Sequence, residues 1–153
     1  MNPRSLLFLL SLAGASLGAQ GKPLTVSGVR ALVFGTVLPG IPRTVPRTDP
    51  VNGGEFDIKG PKFGNVQITF SLPGAMAGPG GATLPLSFVG SVAGFSASQS
   101  IGSQVGFDPQ QTFVGQLSKN GRASVYIGGT AQPQASQRAG GYTAILTMSV
   151  TIL

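Results

Sequence analysis

GGYTAILTMSVTIL, residues 140–153, is the stretch whose reading decides the fold. Tyr142, Ala144, Leu146, Met148, Val150 and Ile152 alternate with Thr143, Thr147, Ser149 and Thr151, and Ile145 alone interrupts the polar set. Strand side chains repeat every two residues, so the pattern predicts a strand with one apolar and one hydroxyl-rich face. At about 3.3 Å per residue it would run roughly 40 Å. It carries no internal proline or charge, the usual protection of an exposed sheet edge. From Gly140 onward it is therefore expected to be an assembly strand. Its apolar face would belong to the core, and its backbone edge would receive another strand.

The same period recurs upstream. Val29–Val37 is a β-branched and aromatic run. In Glu55–Lys59, Phe56 and Ile58 share one face and three charges the other. Asn65–Leu72 alternates throughout, with Val66, Ile68, Phe70 and Leu72 inward, and Leu84, Leu86 and Phe88 continue beyond a glycine-rich turn. Thr112–Leu117 and then Ala123, Val125 and Ile127 supply two more strands. Leu32, Phe34 and the apolar face of 146–150 complete the expected core. No stretch of the chain after the leader shows helical periodicity. Turn signals separate the runs, among them Asn52-Gly53-Gly54, Pro73-Gly74, Asn120-Gly121 and Gly128-Gly129. Asn120-Gly121 is the signal of a tight hairpin.

These features predict an all-β chain, an antiparallel β-sandwich of about seven strands. A closed barrel needs about eight or more strands of matched length, which the proline-rich stretch 38–50 does not supply. An outer-membrane barrel would turn an apolar band outward, whereas the second faces here are Glu, Asp, Lys, Gln, Thr and Ser.

Residues 1–19 read as a signal peptide, with Arg4, an apolar run over 6–12 and small residues up to Ala19. The run is too short to span a bilayer, which takes about twenty residues. Cleavage is expected after Ala19, or alternatively after Gly18. Residues 20–28 then form an N-terminal extension or the lead-in to a first strand, and 29–153 a single sandwich domain. The net charge of +6 becomes +5 without Arg4. The chain is expected to be secreted, through the periplasm to the cell surface or medium, with no membrane span after processing. It has no cysteine, so stability must come from packing and sheet hydrogen bonds.

Cysteine and histidine are both absent, which removes Ser-His-Asp, Cys-His and ordinary zinc chemistry. Glu55 and Asp57 share a strand face, as a carboxylate pair for glycoside hydrolysis would, but the pattern puts them in solvent, where carboxylates are not perturbed. Asp49, Asn52, Glu55 and Asp57 are oxygen donors around a Gly-Gly turn. They match no defined calcium loop and are equally turn chemistry. No enzyme activity and no cofactor are expected. The basic residues are dispersed without stacking aromatics, which argues against nucleic acid. Arg43 and Arg47, in the echo PRT-V-PRT, are candidate contacts for an anionic envelope polymer or simply a solubilising loop.

ALVFGTVLPG (31–40), DPVNGG (49–54) and VYIGGT with AGGYTAILTMSVTI near the end resemble a family of secreted bacterial β-sandwich proteins similar to the spore-coat-U and fimbrial-adhesin group. The tail also resembles the chaperone-usher pilin pattern, with Gly140 fourteenth from the end and apolar alternation after it. It departs from that pattern in having Ile152 rather than an aromatic at the penultimate position, and in lacking the pilin disulfide. The resemblance implies an immunoglobulin-like sandwich one strand short, completed by a periplasmic chaperone and then by another subunit's N-terminal extension. A donated strand burying about four side chains at about 1.5–3 kcal/mol each would rival the whole stability of a domain, about 5–15 kcal/mol. The candidate donor is 20–28, where Leu24, Val26 and Gly28 alternate. The alternative is that this segment begins the first strand of a complete domain. The expected function is a structural or adhesive subunit of a surface fibre, self-associating or joined to related subunits. The competing expectation is a stand-alone secreted module that binds glycan or envelope polymer.

Overall fold

A computed structural model describes residues 21–153, and the expected leader and Gln20 lie outside the described residues. The described chain forms strands β1 (Thr25–Arg30), β2 (Arg43–Val45), β3 (Gly54–Lys59), β4 (Asn65–Ser71), β5 (Ala75–Ala77), β6 (Thr83–Ser87), β7 (Ala93–Ser96), β8 (Val105–Phe107), β9 (Phe113–Gln116), β10 (Arg122–Ile127), β11 (Gly129–Ala131) and β12 (Thr147–Ile152). Two single 3₁₀ turns, Pro79–Gly81 and Ile101–Ser103, are the only helical elements among the described residues. The described chain is all-β, and every strand pair in it is antiparallel.

A five-stranded sheet, β1-β3-β10-β7-β8, packs against a three-stranded sheet, β12-β4-β9. Alternation explains the core between them. Ile58 and Val125 point in from the first sheet and Val66, Ile68 and Met148 from the second. Phenylalanines link the layers, with Phe70 and Phe107 centroids 6.3 Å apart and Phe107 and Phe113 4.2 Å apart. A third sheet, β2-β11-β6-β5, caps one end over a smaller core of Phe34, Val45, Leu84 and Ala131. Every residue of the expected core set is buried or half-buried.

The number of strands exceeds the expected seven because β2, β7 and β8 lie outside the expected runs and because two long runs cross between sheets. The chain from β10 to β11 bends at Gly128, so Gly128-Gly129 is a passage between sheets and not a turn. The chain from β4 to β5 bends at Pro73-Gly74 in the same way. Asn120-Gly121 makes the expected tight turn, with Gly121 at φ 68°. Its flanking strands, however, join different sheets, so it closes no hairpin. The run 29–37 is also shorter as a strand than its composition suggests, since β1 ends at Arg30 after a bulge between Gly28 and Arg30.

The terminal stretch is regular only over 147–152, where it pairs with β4 from Thr147↔Ser71 to Ile152↔Val66. Its neighbour then reaches Pro73, which has no N–H, and the ladder stops. Pairing resumes at one bridge, Ala77↔Thr143, with mutual N–H···O bonds of 2.8 and 3.0 Å. Gly140 is therefore not part of a strand. It sits at φ 148°, where a Cβ would come within 2.9 Å of Pro79 Cδ. No helix of the described residues is long and apolar enough to cross a membrane.

Candidate strand-acceptor seam

β1 and β12 are the edge strands on one side of the sandwich. Among the described residues β1 pairs only with β3 and β12 only with β4. Leu24 and Ile152 mark one end of the seam between them. Their Cδ1 atoms lie 3.1 and 4.0 Å from where a Cβ on Gly60 would stand. At the other end an apolar cavity of about 450 Å³ is lined by Arg30, Leu32, Phe56, Ile127, Ile145 and Leu146, among others.

The β12 edge can be read atom by atom. Leu153 N–H donates to Asn65 O at 2.9 Å, and Thr147, Ser149 and Thr151 share its parity. In an antiparallel pair those residues spend their backbone groups on β4. Met148, Val150 and Ile152 therefore present theirs to the open side. Met148 is buried and Val150 half-buried, so backbone edge and core face belong to the same residues. Of the rest of the expected assembly strand, Leu146 is half-buried, Ala144 is exposed, and Ile152 is 41% exposed. Tyr142 packs on the smaller core, donating from its hydroxyl to Arg138 O at 2.6 Å and accepting from Gln137 at 2.7 Å. Ile145, the residue that broke the polar set, is 85% exposed.

The candidate donor segment is part of the described domain. Val26 and Gly28 stand opposite Ile58 and Phe56 in β1, and Leu24 packs against the larger core. Within the single chain, Thr25–Gly28 of this segment lie in β1 and pair with β3.

Arg30 was not anticipated as a seam residue. Its Nε donates to Gly53 O at 2.6 Å and its Nη1 pairs with Glu55 at 3.1 Å, while Nη2 is buried without a partner. A single cation inside the apolar run VRALVF was the available sequence signal.

Glu55 and Asp57 are half-buried, not in solvent as expected. Glu55 is held by Arg30, and Asp57 accepts from Ser124 Oγ at 2.7 Å. The outer face of the five-stranded sheet is covered here, and Tyr126 beside them is only 2% exposed. Burial, with Glu55 nearby, raises the Tyr126 phenol above its usual pKa. Asp49 accepts from the N–H groups of Val51 and Asn52 at 2.8 and 2.9 Å and from Asn52 Nδ2 at 3.0 Å. These bonds, the Asn52 side chain foremost, hold its pKa below the usual value. Asp49, Glu55 and Asp57 thus serve three separate contacts. No group of three acidic side chains among the described residues is placed to hold a metal ion.

Arg43 and Arg47 also part company. Arg43 is exposed on β2. Arg47 is drawn onto the sheet, where Nη1 donates to Ser91 O and a Cβ on Gly106 would stand 2.7 Å from Nη2. Its guanidinium is occupied in packing, so the two do not form one anion site. No family model and no curated protein matches the chain.

Proposed function

We propose that this chain is an exported structural or adhesive subunit of a surface fibre, without catalytic activity, assembled by adding a strand along β12. The observation that carries this reading is the β12 edge. It has unpaired backbone groups on the residues whose side chains enter the core, beside an open apolar seam. Strand addition combines main-chain hydrogen bonds with pockets for alternate side chains, and the seam offers both. The resemblance of the tail to pilin subunits points the same way. The leader-like residues 1–19 support export, and a periplasmic chaperone would guard the edge in transit. A neighbour's 20–28 is the candidate donor, and to serve it must exchange its own β3 for another subunit's β12.

The cis pairing of β1 with β3 over Thr25–Arg30 favours the second reading, a stand-alone secreted binding module. Light scattering on purified protein decides between them. A fibre subunit polymerises without chaperone, and an added peptide of sequence KPLTVSGV stops its growth. A monomer that persists and ignores the peptide establishes the stand-alone module.

A further inference from the structure

Five of the basic residues gather at one pole of the sandwich. Lys59 ends β3 directly opposite Arg122, which begins β10. Lys22 precedes β1, whose first residue, Thr25, pairs with Lys59 on its other side. Lys62 and Lys119 lie in two turns stitched together by Gly60 N–H to Gly121 O at 2.9 Å and Phe63 N–H to Ser118 O at 3.1 Å.

None of the five has an acidic partner among the described residues, where the single ion pair is Arg30–Glu55. The other acids are engaged elsewhere. Asp57 accepts from Ser124, Asp49 holds its turn, and Asp108 accepts from the Gln110 N–H at 2.9 Å. Like charges directly opposite across a ladder destabilise a sheet, so the Lys59–Arg122 pair works against the fold.

Two further features mark the same pole. A shallow depression of about 420 Å³ is lined by Ser98, Gln99, Ser118, Lys119, Asn120 and Arg122. Phe63, beside it, is 59% exposed. Phe63 and Gln99 are also the two non-glycine residues of the described chain with positive φ, at 54° and 57°. Strained backbone of this kind gathers where function sets the conformation.

The chemistry of the pole selects a class of ligand. Hydroxyl and amide groups match sugar hydroxyls, an exposed ring offers a face to a pyranose, and the cations require a regularly charged partner. A membrane surface would need a broad apolar face, and one phenylalanine between Lys62 and Gly64 is not that. Single-stranded nucleic acid would call for a series of aromatic platforms. We propose that this pole binds an acidic polysaccharide, with Phe63 against a sugar ring and Lys59, Lys119 and Arg122 against its carboxylates or sulfates. Such binding requires no donated strand, so its outcome is independent of fibre assembly.

Titration calorimetry of the purified protein against polygalacturonate, at low and raised salt, tests this. Neutral dextran, polyphosphate and phosphatidylglycerol vesicles serve as comparison probes. Polygalacturonate should bind and dextran should not. The double change Lys59→Gln, Arg122→Gln should weaken binding about tenfold or more and flatten the dependence of log K on log salt by about one to two units. It removes the like-charge pair, so thermal stability should hold or rise. Phe63→Gly should weaken polygalacturonate binding several-fold and leave polyphosphate binding unchanged. Glycine accepts positive φ, so this variant keeps its fold. The assignment is overturned if Phe63→Gly affects neither polymer or both alike, since charge alone then accounts for binding. It is equally overturned if vesicles bind and polygalacturonate does not, or if nothing binds at low salt.

Discussion

Gly128 lies against the Val45 carbonyl more closely than any side chain at that position would permit. A Cβ there would meet that oxygen and stand 2.7 Å from Arg47 N and 2.8 Å from Pro46 C. All three are backbone atoms, which cannot rotate aside. Here the chain leaves the large sheet for the small one, and β2 follows it by pairing Val45 with Gly129. Gly128→Ala should therefore destabilise the protein by about 1–3 kcal/mol. Gly74→Ala, with nothing within 4 Å of its Cβ, should stay within about 0.5 kcal/mol. Urea denaturation of the two variants checks the contrast.

The seam yields a substitution that separates folding from assembly. Ile152 N–H faces away from β4, so Ile152→Pro removes a donor from the open edge and none from the existing ladder. Its side chain is already 41% exposed. The variant should fold with near-wild-type thermal stability and fail to polymerise in light scattering. Unaltered polymer growth would move strand addition to another edge.

Paired substitutions at the other side of the seam address the donor. Leu24→Asp with Val26→Asp should block polymer formation. Because Leu24 packs on the core in the single chain, the same change should also loosen β1. Hydrogen exchange should then rise in β1 and in its β3 partner, while β4 and β9 stay protected.

Tyr126 should resist ionisation. Its folded pKa is raised above the usual value near 10 by burial and then by Glu55. A raised folded pKa stabilises the fold fully below the unfolded pKa, and this contribution is lost as pH rises through the folded one. Tyrosinate absorbance from Tyr126 should therefore appear above pH ~10 and together with loss of structure. Tyr126→Phe should make the alkaline transition less steep.

Core truncation should follow the alternation of β4 and β9. Ile68 is fully buried between the sheets, and Ile68→Ala should cost about 2–5 kcal/mol. Val114 is 56% exposed on the adjacent strand, and Val114→Ala should change stability by less than about 0.5 kcal/mol. Equal losses in denaturant would contradict the placement of the core.

Much of this is legible in the sequence. Val66, Ile68 and Phe70 were expected inward from spacing alone, and so were Met148 and Val150, because the two-residue repeat of a strand is a local property. Asp49 and Asn52 were readable as turn residues, since an Asx side chain bonds its own neighbouring backbone. The covered setting of Glu55 and Asp57 was not readable. The pattern assigns them to the outer face, and only the fold shows that this face is itself roofed. Arg43 and Arg47 look equivalent in PRT-V-PRT, yet Arg47 alone meets a glycine pair, Gly94 opposite Gly106, that leaves room for it.

By itself the sequence determined that the chain is rich in β-strand, which side chains go inward in β3, β4, β10 and β12, and that chemistry needing His or Cys is closed to it. The tertiary structure decided which strands lie together, that Gly128 and Pro73 pass the chain between sheets, and that β1 and β12 remain as neighbouring edges. It also brought Lys59, Arg122 and Phe63 to one pole. Face and period depend on residues two apart and are written in any short stretch. Partner choice depends on backbone hydrogen bonds that are chemically alike in every strand, so it is settled only when the whole core is packed.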